Sequence, residues 1–248
     1  KPTLGPKEPW AYRNKMQMPV GGTKGDILMG FYAMGSHDIV QGTNCPIQDE
    51  GNNIIAQACY QIAKELDVEP YDEHTGKGVL RHIIGRIGQS GWMIILVTAT
   101  DNLSHQEKWV KNLTERVPQV ETIIHNVNGK RTNVILGPKN RILYGDGTIT
   151  DHIKDLRFTL SPHSFFQVNP EQTTVLYDQA LAYADLKGNE TVIDAYCGTG
   201  TISLFLAHKA KHVIGIEIVE PAIINARENA RRNGYDNTEF IVAGAAVE

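Results

Sequence analysis

Cysteine is scarce and scattered in this 248-residue chain, whose three cysteines stand at positions 45, 59 and 197. Such spacing offers neither a disulfide framework nor a closed zinc site, so the chain alone is not expected to be a metalloprotein. No apolar run approaches the length of a membrane span, and no signal peptide opens the sequence. We therefore expect a cytoplasmic protein with no membrane partner.

A strong excess of charge of either sign is also missing, because the formal net charge is only -4 at pH 7. The overall charge therefore does not indicate a nucleic-acid binder, and it does not exclude one, since a local basic face suffices. The hydrophobic fraction of 41% and the charged fraction of 21% are those of an ordinary globular protein. The length predicts one large domain or two small ones.

The dinucleotide fingerprint G-x-G-x-x-G is incomplete, because Ser203 stands where the third glycine would be. What is present runs from Thr191 to Glu217: an apolar run, a turn with Gly198 and Gly200, an apolar helical segment, and a second apolar run that ends on the acid. This order predicts one βαβ unit of a nucleotide-binding sheet. The glycines allow the backbone to approach a ligand, and the terminal acid can bind both hydroxyls of a ribose.

The glycine turn carries an acid of its own, since Asp194 begins a D-x-x-x-G-x-G pattern that ends at Gly200. S-adenosylmethionine (SAM) has no phosphate, so its loop needs no phosphate cradle. It needs a neutral turn and polar groups for the amino-acid end of the ligand. The pattern therefore favours SAM over NAD, and an NAD-dependent oxidoreductase is the less favoured alternative because of Ser203.

The first part of the chain is predicted to be a mainly antiparallel α+β domain over residues 1–155, because strand patterns outnumber helical ones. Asn52 or Asn53 is expected to cap the first helix, and Ser104 to open a capping box with Glu107 at the second. The predicted strands cover residues 16–20, 26–34, 78–87, 92–98, 120–127 and 141–149, and the predicted helices cover 52–66 and 104–117.

Two polar clusters in this domain have both a functional and a structural interpretation. The aromatic and basic residues Tyr12, Arg13 and Lys15 can stack bases and hold phosphates, or they can form a solvated strand end. Arg81 and His82 lie within a predicted strand and could face a substrate. For this pair the residue types favour a satisfied pair on the surface.

Residues 156–248 are predicted to form the first part of a doubly wound sheet. A helix begins at Asn169, ahead of Pro170, and runs to about Ala184; the last predicted strand covers 238–242. The loop before that helix can place the amide of Gln167 beside the ligand, or the amide can simply bond to the backbone. The first strand of such a sheet should be central, so we expect the chain to be a piece of a longer protein.

Together these segments resemble the bacterial RNA uracil-5-methyltransferases, specifically the 23S ribosomal RNA branch. The resemblance covers nearly the whole chain, and its most specific part is the combination of FFQVNP with DAYCGTGT. It implies a central α+β domain that faces RNA, followed by the first half of a Rossmann-like SAM-dependent methyltransferase domain. The segments that carry it are Tyr12-Arg13-Asn14-Lys15, Asn44-Cys45-Pro46, Leu80-Arg81-His82, Ser161-Pro-x-x-Phe165-Phe166-Gln167-Val168-Asn169 and Asp194-Ala-Tyr196-Cys197-Gly198-Thr-Gly200.

The resemblance implies a SAM site in the second part of the chain. Gln167 resembles the family's glutamine that contacts SAM, and Tyr196 resembles the aromatic residue of the glycine loop beside the cofactor. Glu217 resembles the acid that binds the ribose of SAM. The remaining implied cofactor residues belong to the glycine loop itself: Asp194, Gly198 and Gly200.

The resemblance also implies an RNA partner and no DNA partner. Arg13, Lys15 and Phe165 lie in segments that line the RNA path in the family. The target base must leave its stack to be reached. The implied substrate is 23S ribosomal RNA, transfer RNA is the alternative substrate, and a non-catalytic RNA-binding module of the same fold is the alternative function.

In the family a cysteine thiolate adds to C6 of uracil, the resulting enolate attacks the methyl group of SAM, and a general base removes the C5 proton. None of the three cysteines suits this role, because Cys45 precedes a proline, Cys59 lies on a helix core face and Cys197 lies in the glycine loop. We expect the nucleophile beyond Glu248, after an Asp-Pro-Pro-Arg segment, and this chain alone to be inactive.

Three further features follow from the comparison with the family. Cys45 resembles the last of four cysteines that hold a [4Fe-4S] cluster in the family, and its three partners would precede Lys1. The family's N-terminal RNA-binding β-barrel is not found in this sequence. Gly244-Ala245-Ala246 stands where many relatives have an acid for the adenine end of SAM.

Overall fold

The computed structural model describes residues 3–244, and the chain divides into two compact units. The first unit is Glu8–Ile149, and the second comprises Thr150–Glu248 with Lys1–Lys7. No helix within residues 3–244 combines the length and the apolar composition that crossing a membrane requires.

The first unit is built on one seven-stranded sheet. Its strands lie in the order β3-β2-β1-β4-β5-β6-β7, and each neighbouring pair is antiparallel except β5 and β6, which are parallel. This arrangement confirms the predicted mainly antiparallel sheet. The strands are β1 (Lys15–Thr23), β2 (Asp26–Tyr32), β3 (Ile39–Gln41), β4 (Leu80–Ile87), β5 (Trp92–Thr98), β6 (Val120–Val127) and β7 (Lys139–Tyr144).

Helices α1 (Glu50–Glu65) and α2 (Gln106–Arg116) complete the first unit and share a hydrophobic core with its sheet. α1 buries Ile55, Cys59 and Ile62 at helical spacing, and α2 contributes the fully buried Trp109. Cys59 is thus the core residue that its position predicts, and burial raises the pKa of its thiol. Burying each large apolar side chain stabilises the fold by roughly 1.5–3 kcal/mol.

The predicted cap of α1 is wrong. The N-cap is Asp49, whose carboxylate accepts a hydrogen bond from the Gly51 N–H at 2.8 Å. Asn52 and Asn53 lie inside the first turn, and Asn53 accepts instead from the Cys45 N–H at 3.0 Å. Several polar residues near the start of this helix could cap it. The side chain of Asn53 does not, because it bonds to the loop that contains Cys45.

The predicted capping box at α2 is wrong as well. The N-cap is His105, which adopts a left-handed conformation with φ of 57° and forms no side-chain cap hydrogen bond. Because a capping box needs the N-cap serine three residues ahead of its acid, the one-residue later start of the helix leaves Ser104 outside it.

The second unit contains a two-stranded and a three-stranded sheet. The two-stranded sheet pairs β8 (Ile149–Ile153) with β9 (Leu156–Leu160), and the predicted domain boundary at residue 155 falls between these strands. The predicted strand 141–149 is interrupted, because Gly145 and Gly147 both have positive φ and form a turn between β7 and β8.

The three-stranded sheet has the order β10-β11-β12 with parallel pairs. It confirms the predicted strand, glycine turn, helix and strand between Thr191 and Glu217. Its elements, with the helices of this unit, are α3 (Pro170–Ala184), β10 (Thr191–Asp194), α4 (Thr201–Ala207), β11 (His212–Glu217), α5 (Glu220–Arg232) and β12 (Thr238–Val242).

Helix α3 begins as predicted, because Asn169 caps it and accepts a hydrogen bond from the Gln172 N–H at 3.0 Å. The sequence also predicts an apolar side of α3 formed by Val175, Leu176, Ala180, Leu181 and Ala184, and this prediction is wrong in part. Leu176 is 59% exposed, whereas Tyr177 is buried. The Tyr177 hydroxyl lies 2.9 Å from that of Thr201, so the helix turns its tyrosine rather than its leucine toward α4.

Candidate functional site

The glycine turn between β10 and α4 is the centre of the candidate site. Gly198 and Gly200 have φ of 54° and 81°, which side chains disfavour. A Cβ atom on Gly200 would lie 3.0 Å from the Phe240 ring and 3.2 Å from the Cβ of Ala226. At Gly198 the corresponding position has no neighbour within 4 Å. Packing thus demands one glycine, while the other leaves the backbone open to a ligand.

Glu217, at the end of β11, lies directly against this turn. Its Oε2 accepts a hydrogen bond from the Gly198 N–H at 3.3 Å, and its Oε1 accepts one from the Val219 N–H at 3.0 Å. The two N–H groups hold the carboxylate at the carboxyl edge of the sheet. An acid oriented in this way can accept further hydrogen bonds from hydroxyl groups, since each carboxylate oxygen has two acceptor sites.

Asp194, the second acid of the site, is held by the serine that replaces the third fingerprint glycine. The Ser203 hydroxyl donates to Asp194 Oδ2 at 2.5 Å. Burial raises the pKa of Asp194, as does the nearby charge of Glu217, whereas the hydrogen bonds from Ser203 and from the Tyr196 N–H lower it. Ser203 therefore orients the loop acid.

Cys197 is built into the turn rather than exposed for chemistry. It is buried, and its N–H donates to the Ile216 carbonyl oxygen at 3.0 Å. Burial, together with the charges of Asp194 and Glu217, raises the pKa of its thiol to about 12. Because the thiolate is the nucleophilic form, burial and these two charges disfavour a nucleophilic role for Cys197.

The loop before α3 is fastened to the glycine turn. The Thr199 hydroxyl donates to the Phe165 carbonyl oxygen at 3.5 Å, and the Asn225 amide donates to the Ser164 hydroxyl at 3.3 Å. Phe166 is buried against Phe158, with 5.7 Å between ring centroids. These bonds join the loop to the glycine turn, 34 residues further along the chain, and to α5.

Three of the predicted site side chains in this unit are accessible. Phe165 and Tyr196 are 71% and 78% exposed, and Gln167 is half-buried. Gln167 follows the fastened carbonyl of Phe165 by two residues. The alternation of a buried and two accessible residues in Phe165-Phe166-Gln167 lets one aromatic ring anchor the loop while its neighbours face outward.

The basic residues predicted from the sequence lie in the first unit. The backbone of Arg13 is bonded to Ile47 and Asp49 at 2.9 and 3.0 Å, and Lys15 pairs with Arg86 across β1 and β4. Burial, together with the charges of Arg86 and Arg13, lowers the pKa of Lys15 to about 8. These three residues form a cluster of positive charge.

Cys45 is half-buried in a loop that Asn53 holds. The Asn53 side chain accepts from the Cys45 N–H at 3.0 Å and donates to the Cys45 carbonyl oxygen at 3.4 Å. A [4Fe-4S] cluster needs four cysteine thiolates. Between residues 3 and 244 no group of three or more His, Cys, Asp or Glu side chains is placed to hold a metal ion. The described residues therefore do not fit such a cluster.

Arg81 and His82 contradict their predicted place on the surface. They are only 4% and 6% exposed. Arg81 Nη1 donates to the carbonyl oxygens of Asn128 and Lys130 at 2.5 and 2.8 Å. Strand propensity gives no sign of this burial, because the partners lie more than 40 residues away.

The predicted departure at Gly244-Ala245-Ala246 has its two alanines outside the described residues.

The parallel sheet, the glycine turn and the acid at the end of the second strand define the fold of the SAM-dependent methyltransferases. Residues 186–246 match the family described as a methyltransferase domain. The solved structure of the Pyrococcus abyssi tRNA (uracil-54, C5)-methyltransferase in complex with S-adenosyl-L-homocysteine is similar to the chain, with a TM-score of 0.79 and 26% identity. The similarity covers 96% of this chain and 57% of that one.

Curated relatives share much higher identity. An uncharacterized RNA methyltransferase of Halalkalibacterium halodurans is 49% identical over 99% of this chain and 54% of its own length. Another from Clostridium tetani is 50% identical over 96% of this chain and 52% of its own length. Nearly all of the chain is therefore similar to proteins named RNA methyltransferases, and it spans about half the length of these relatives.

Proposed function

We propose that the protein containing this chain transfers a methyl group from SAM to C5 of uridine in 23S ribosomal RNA. The observation that carries the proposal is the fastening of the Phe165–Gln167 loop to a glycine turn that holds Glu217. This arrangement combines an acid for a ribose with an accessible amide and accessible aromatic rings. The similarity to RNA methyltransferases over nearly the whole chain supports RNA as the substrate.

The second unit would hold the cofactor, which supplies the methyl group. The two N–H groups that orient Glu217 leave its oxygens free to accept from the ribose hydroxyls. Tyr196 would lie beside the cofactor with its exposed ring, and Gln167 would bind the methionine end with its amide. The remaining proposed contacts shape the turn itself: Asp194, Gly198 and Gly200.

The basic cluster of the first unit would hold RNA phosphates, through Arg13 and Lys15. Phe165, which is 71% exposed, would stack on a base of the RNA. Because uracil C5 is a weak nucleophile, a thiolate must first add to C6. Burial raises the pKa of the Cys197 and Cys59 thiols, which disfavours both as the nucleophile. Cys45 lies in the first unit, in a loop that Asn53 holds. We infer that the thiolate comes from another segment of the protein, which would make this chain alone inactive.

Transfer RNA is a second candidate substrate. The similar structure from Pyrococcus abyssi is a tRNA (uracil-54, C5)-methyltransferase, and the names of the curated relatives do not specify the RNA. A non-catalytic RNA-binding module of the same fold is a third candidate, because none of the three cysteines of this chain suits the role of nucleophile. A [4Fe-4S] cluster ligated by Cys45 would need three cysteines outside the described residues.

Methyl transfer by the whole protein tests the proposal. Labelled SAM is supplied with a 23S ribosomal RNA transcript and, in parallel, with transfer RNA transcripts, and the modified nucleoside is identified by mass spectrometry. 5-Methyluridine in the ribosomal transcript alone supports the proposal. Label in transfer RNA alone moves the substrate to the second candidate. Absence of label from both overturns the methyltransferase assignment.

Replacing Gln167 tests the cofactor site separately. We expect Gln167→Ala to weaken SAM binding by about 1–2 kcal/mol, the scale of one polar contact. Calorimetry measures the affinity, and Gln172→Ala on the first turn of α3 is the matched control. Unchanged affinity in Gln167→Ala would give that amide a purely structural role.

A further inference from the structure

A second concave site lies in the first unit and is lined by residues of that unit alone. The cavity has a volume of about 300 Å³ and opens between the end of β2, residues 71–73, the start of β4 and the loop 131–135. This volume is at the lower end of the range of roughly 300–1,000 Å³ that is usual for small-ligand sites. It suits a single flat heterocycle better than a large ligand.

The far wall of the cavity is held by buried hydrogen bonds. The Asn128 amide donates to the carbonyl oxygens of Val134 and Ile135 at 2.6 and 3.0 Å. Arg81, at the β-bulge of β4, donates to the Asn128 carbonyl oxygen at 2.5 Å. One arginine and one asparagine thus join the strand to the loop, so the cavity is formed before any ligand enters.

Two pairs of stacked flat groups line the cavity. The rings of Tyr32 and His37 stack with 5.0 Å between centroids and an interplanar angle of 24°. Glu73 holds both, accepting from the Tyr32 hydroxyl at 3.1 Å and lying 2.6 Å from His37 Nδ1. The Arg81 guanidinium lies 4.5 Å above the Tyr71 ring. Flat groups of this kind are stacking platforms for nucleobases.

Two buried nitrogen atoms in this wall have no hydrogen-bond partner. They are Arg81 Nε and His82 Nδ1, on residues that are 4% and 6% exposed. Leaving such buried atoms unpaired costs free energy. Burial and the Arg81 charge lower the pKa of His82 to about 4. Near neutral pH the imidazole is therefore uncharged, with one donor and one acceptor nitrogen.

We propose that this cavity binds one unpaired nucleobase of the RNA substrate, stacked on the Tyr32–His37 pair and read by Arg81 and His82. The proposal rests on the proposed function, because only an RNA substrate brings such a base to the protein. A base edge carries both donors and acceptors and matches a neutral imidazole beside a guanidinium. The Glu73 carboxylate disfavours a phosphate, whereas Arg81 and Arg131, which line the same cavity, favour one, so a competition experiment must separate the two ligands.

Photocrosslinking tests where the base lies. The whole protein is irradiated with the methylatable RNA transcript carrying 4-thiouridine at one unpaired position at a time, and crosslinked peptides are identified by mass spectrometry. We expect one position other than the methylated uridine to crosslink to the peptides that contain Tyr32 or Tyr71. Crosslinks confined to other peptides at every position would overturn the proposal.

Removing the stacking pair tests its contribution. The double variant Tyr32→Leu, His37→Leu should raise the KM for RNA about tenfold, the scale of one lost base stack, with kcat and SAM affinity unchanged. Tyr144→Leu, at a half-exposed tyrosine of β7 outside the cavity, is the matched control. Thermal unfolding checks that both variants are folded. An unchanged KM in the double variant overturns the proposal.

Competition distinguishes a base site from an anion site. Adenosine and uridine monophosphates should reduce the crosslink to Tyr32 or Tyr71, whereas inorganic phosphate at the same concentration should not. Equal competition by inorganic phosphate would overturn the nucleobase in favour of an anion. Failure of the wild-type protein to methylate or bind RNA sinks the proposed function and this inference together. Normal methylation with an unaffected double variant sinks only the inference.

Discussion

The two units differ in how far their sheets are buried. In the first unit β4 and β5 carry a run of fully buried apolar residues, and one core joins the sheet to α1 and α2. In the second unit Ile193 of β10 is 64% exposed and Ile241 of β12 is 38% exposed. Each unit has a hydrophobic core, but the second one, around Leu206 and Val213, leaves β10 and β12 more exposed than β4 and β5.

Core truncation should give the largest contrast between the units. Trp109→Ala should cost about 3–5 kcal/mol of unfolding free energy, because it empties a fully buried site. Ile193→Ala should cost well under that amount, since most of its side chain is already in water. Urea unfolding followed by circular dichroism measures both. Similar losses for the two variants would refute the contrast.

A pH dependence should mark the first unit. The folded-state pKa of His82 is lowered to about 4 by burial and by Arg81, so the folded protein binds fewer protons than the unfolded chain between pH 6.5 and 4. The stability contributed by the neutral imidazole is present above pH 6.5 and is lost as the pH falls through that window, by up to about 3 kcal/mol.

Urea unfolding of the wild type and of His82→Gln, across this pH range, measures that loss. The variant should lose less stability than the wild type on acidification, because glutamine does not titrate. His74→Gln is the control, since His74 is exposed. Parallel pH profiles for the wild type and His82→Gln would show that another group is responsible.

The acid at the edge of the second unit should dominate cofactor binding. Glu217→Gln is expected to weaken SAM by about 1–3 kcal/mol, because the amide keeps the shape but has fewer acceptor sites for ribose hydroxyls. Glu239→Gln, an exposed acid on β12, is the control. Calorimetric titration with SAM measures both, and equal affinities in the two variants would remove Glu217 from the site.

The smallest effect concerns Lys15. Its pKa is lowered to about 8 by burial, Arg86 and Arg13, so it is charged at pH 7 and loses its charge as the pH rises through 8. If it holds an RNA phosphate, affinity for RNA should fall by about tenfold or less between pH 7 and 9, the scale of one charge-assisted contact.

Lys15→Arg should keep its charge over the same range, because guanidinium does not titrate there. Filter binding with the transcript at fixed salt compares the two proteins. An equal fall in both would assign the titration to another group.

Short-range patterns were predictable, as two segments show. The βαβ unit follows from Thr191 to Glu217 because glycines, apolar runs and a terminal acid each act locally. The start of α3 follows from Asn169, since a cap bonds only two or three residues ahead. Ser203 shows the limit of the same reasoning. The sequence showed that Ser203 breaks the dinucleotide fingerprint, but it did not show that the hydroxyl orients Asp194.

The residues that sequence reasoning misplaced depend on distant partners. Arg81 can be buried because the carbonyl oxygens of residues 128 and 130 accept hydrogen bonds from its guanidinium group. Asn53 does not cap the helix, because its side chain accepts a hydrogen bond from the Cys45 N–H. α3 turns Tyr177 inward because Thr201 and Phe205 lie across from it.

Local patterns therefore predicted the two kinds of architecture and the glycine turn with its acids. They also predicted the Phe165–Gln167 loop as a candidate part of the cofactor site. These rest on periodicity, backbone conformation and turn chemistry, which act over a few residues. Which polar side chains are buried, and that β5 and β6 are parallel, became visible in the three-dimensional structure alone. The structure also shows that Tyr32, Tyr71 and Arg81 surround one cavity. Such features arise from contacts between residues far apart in the chain. No local pattern specifies which distant residue a given side chain will contact.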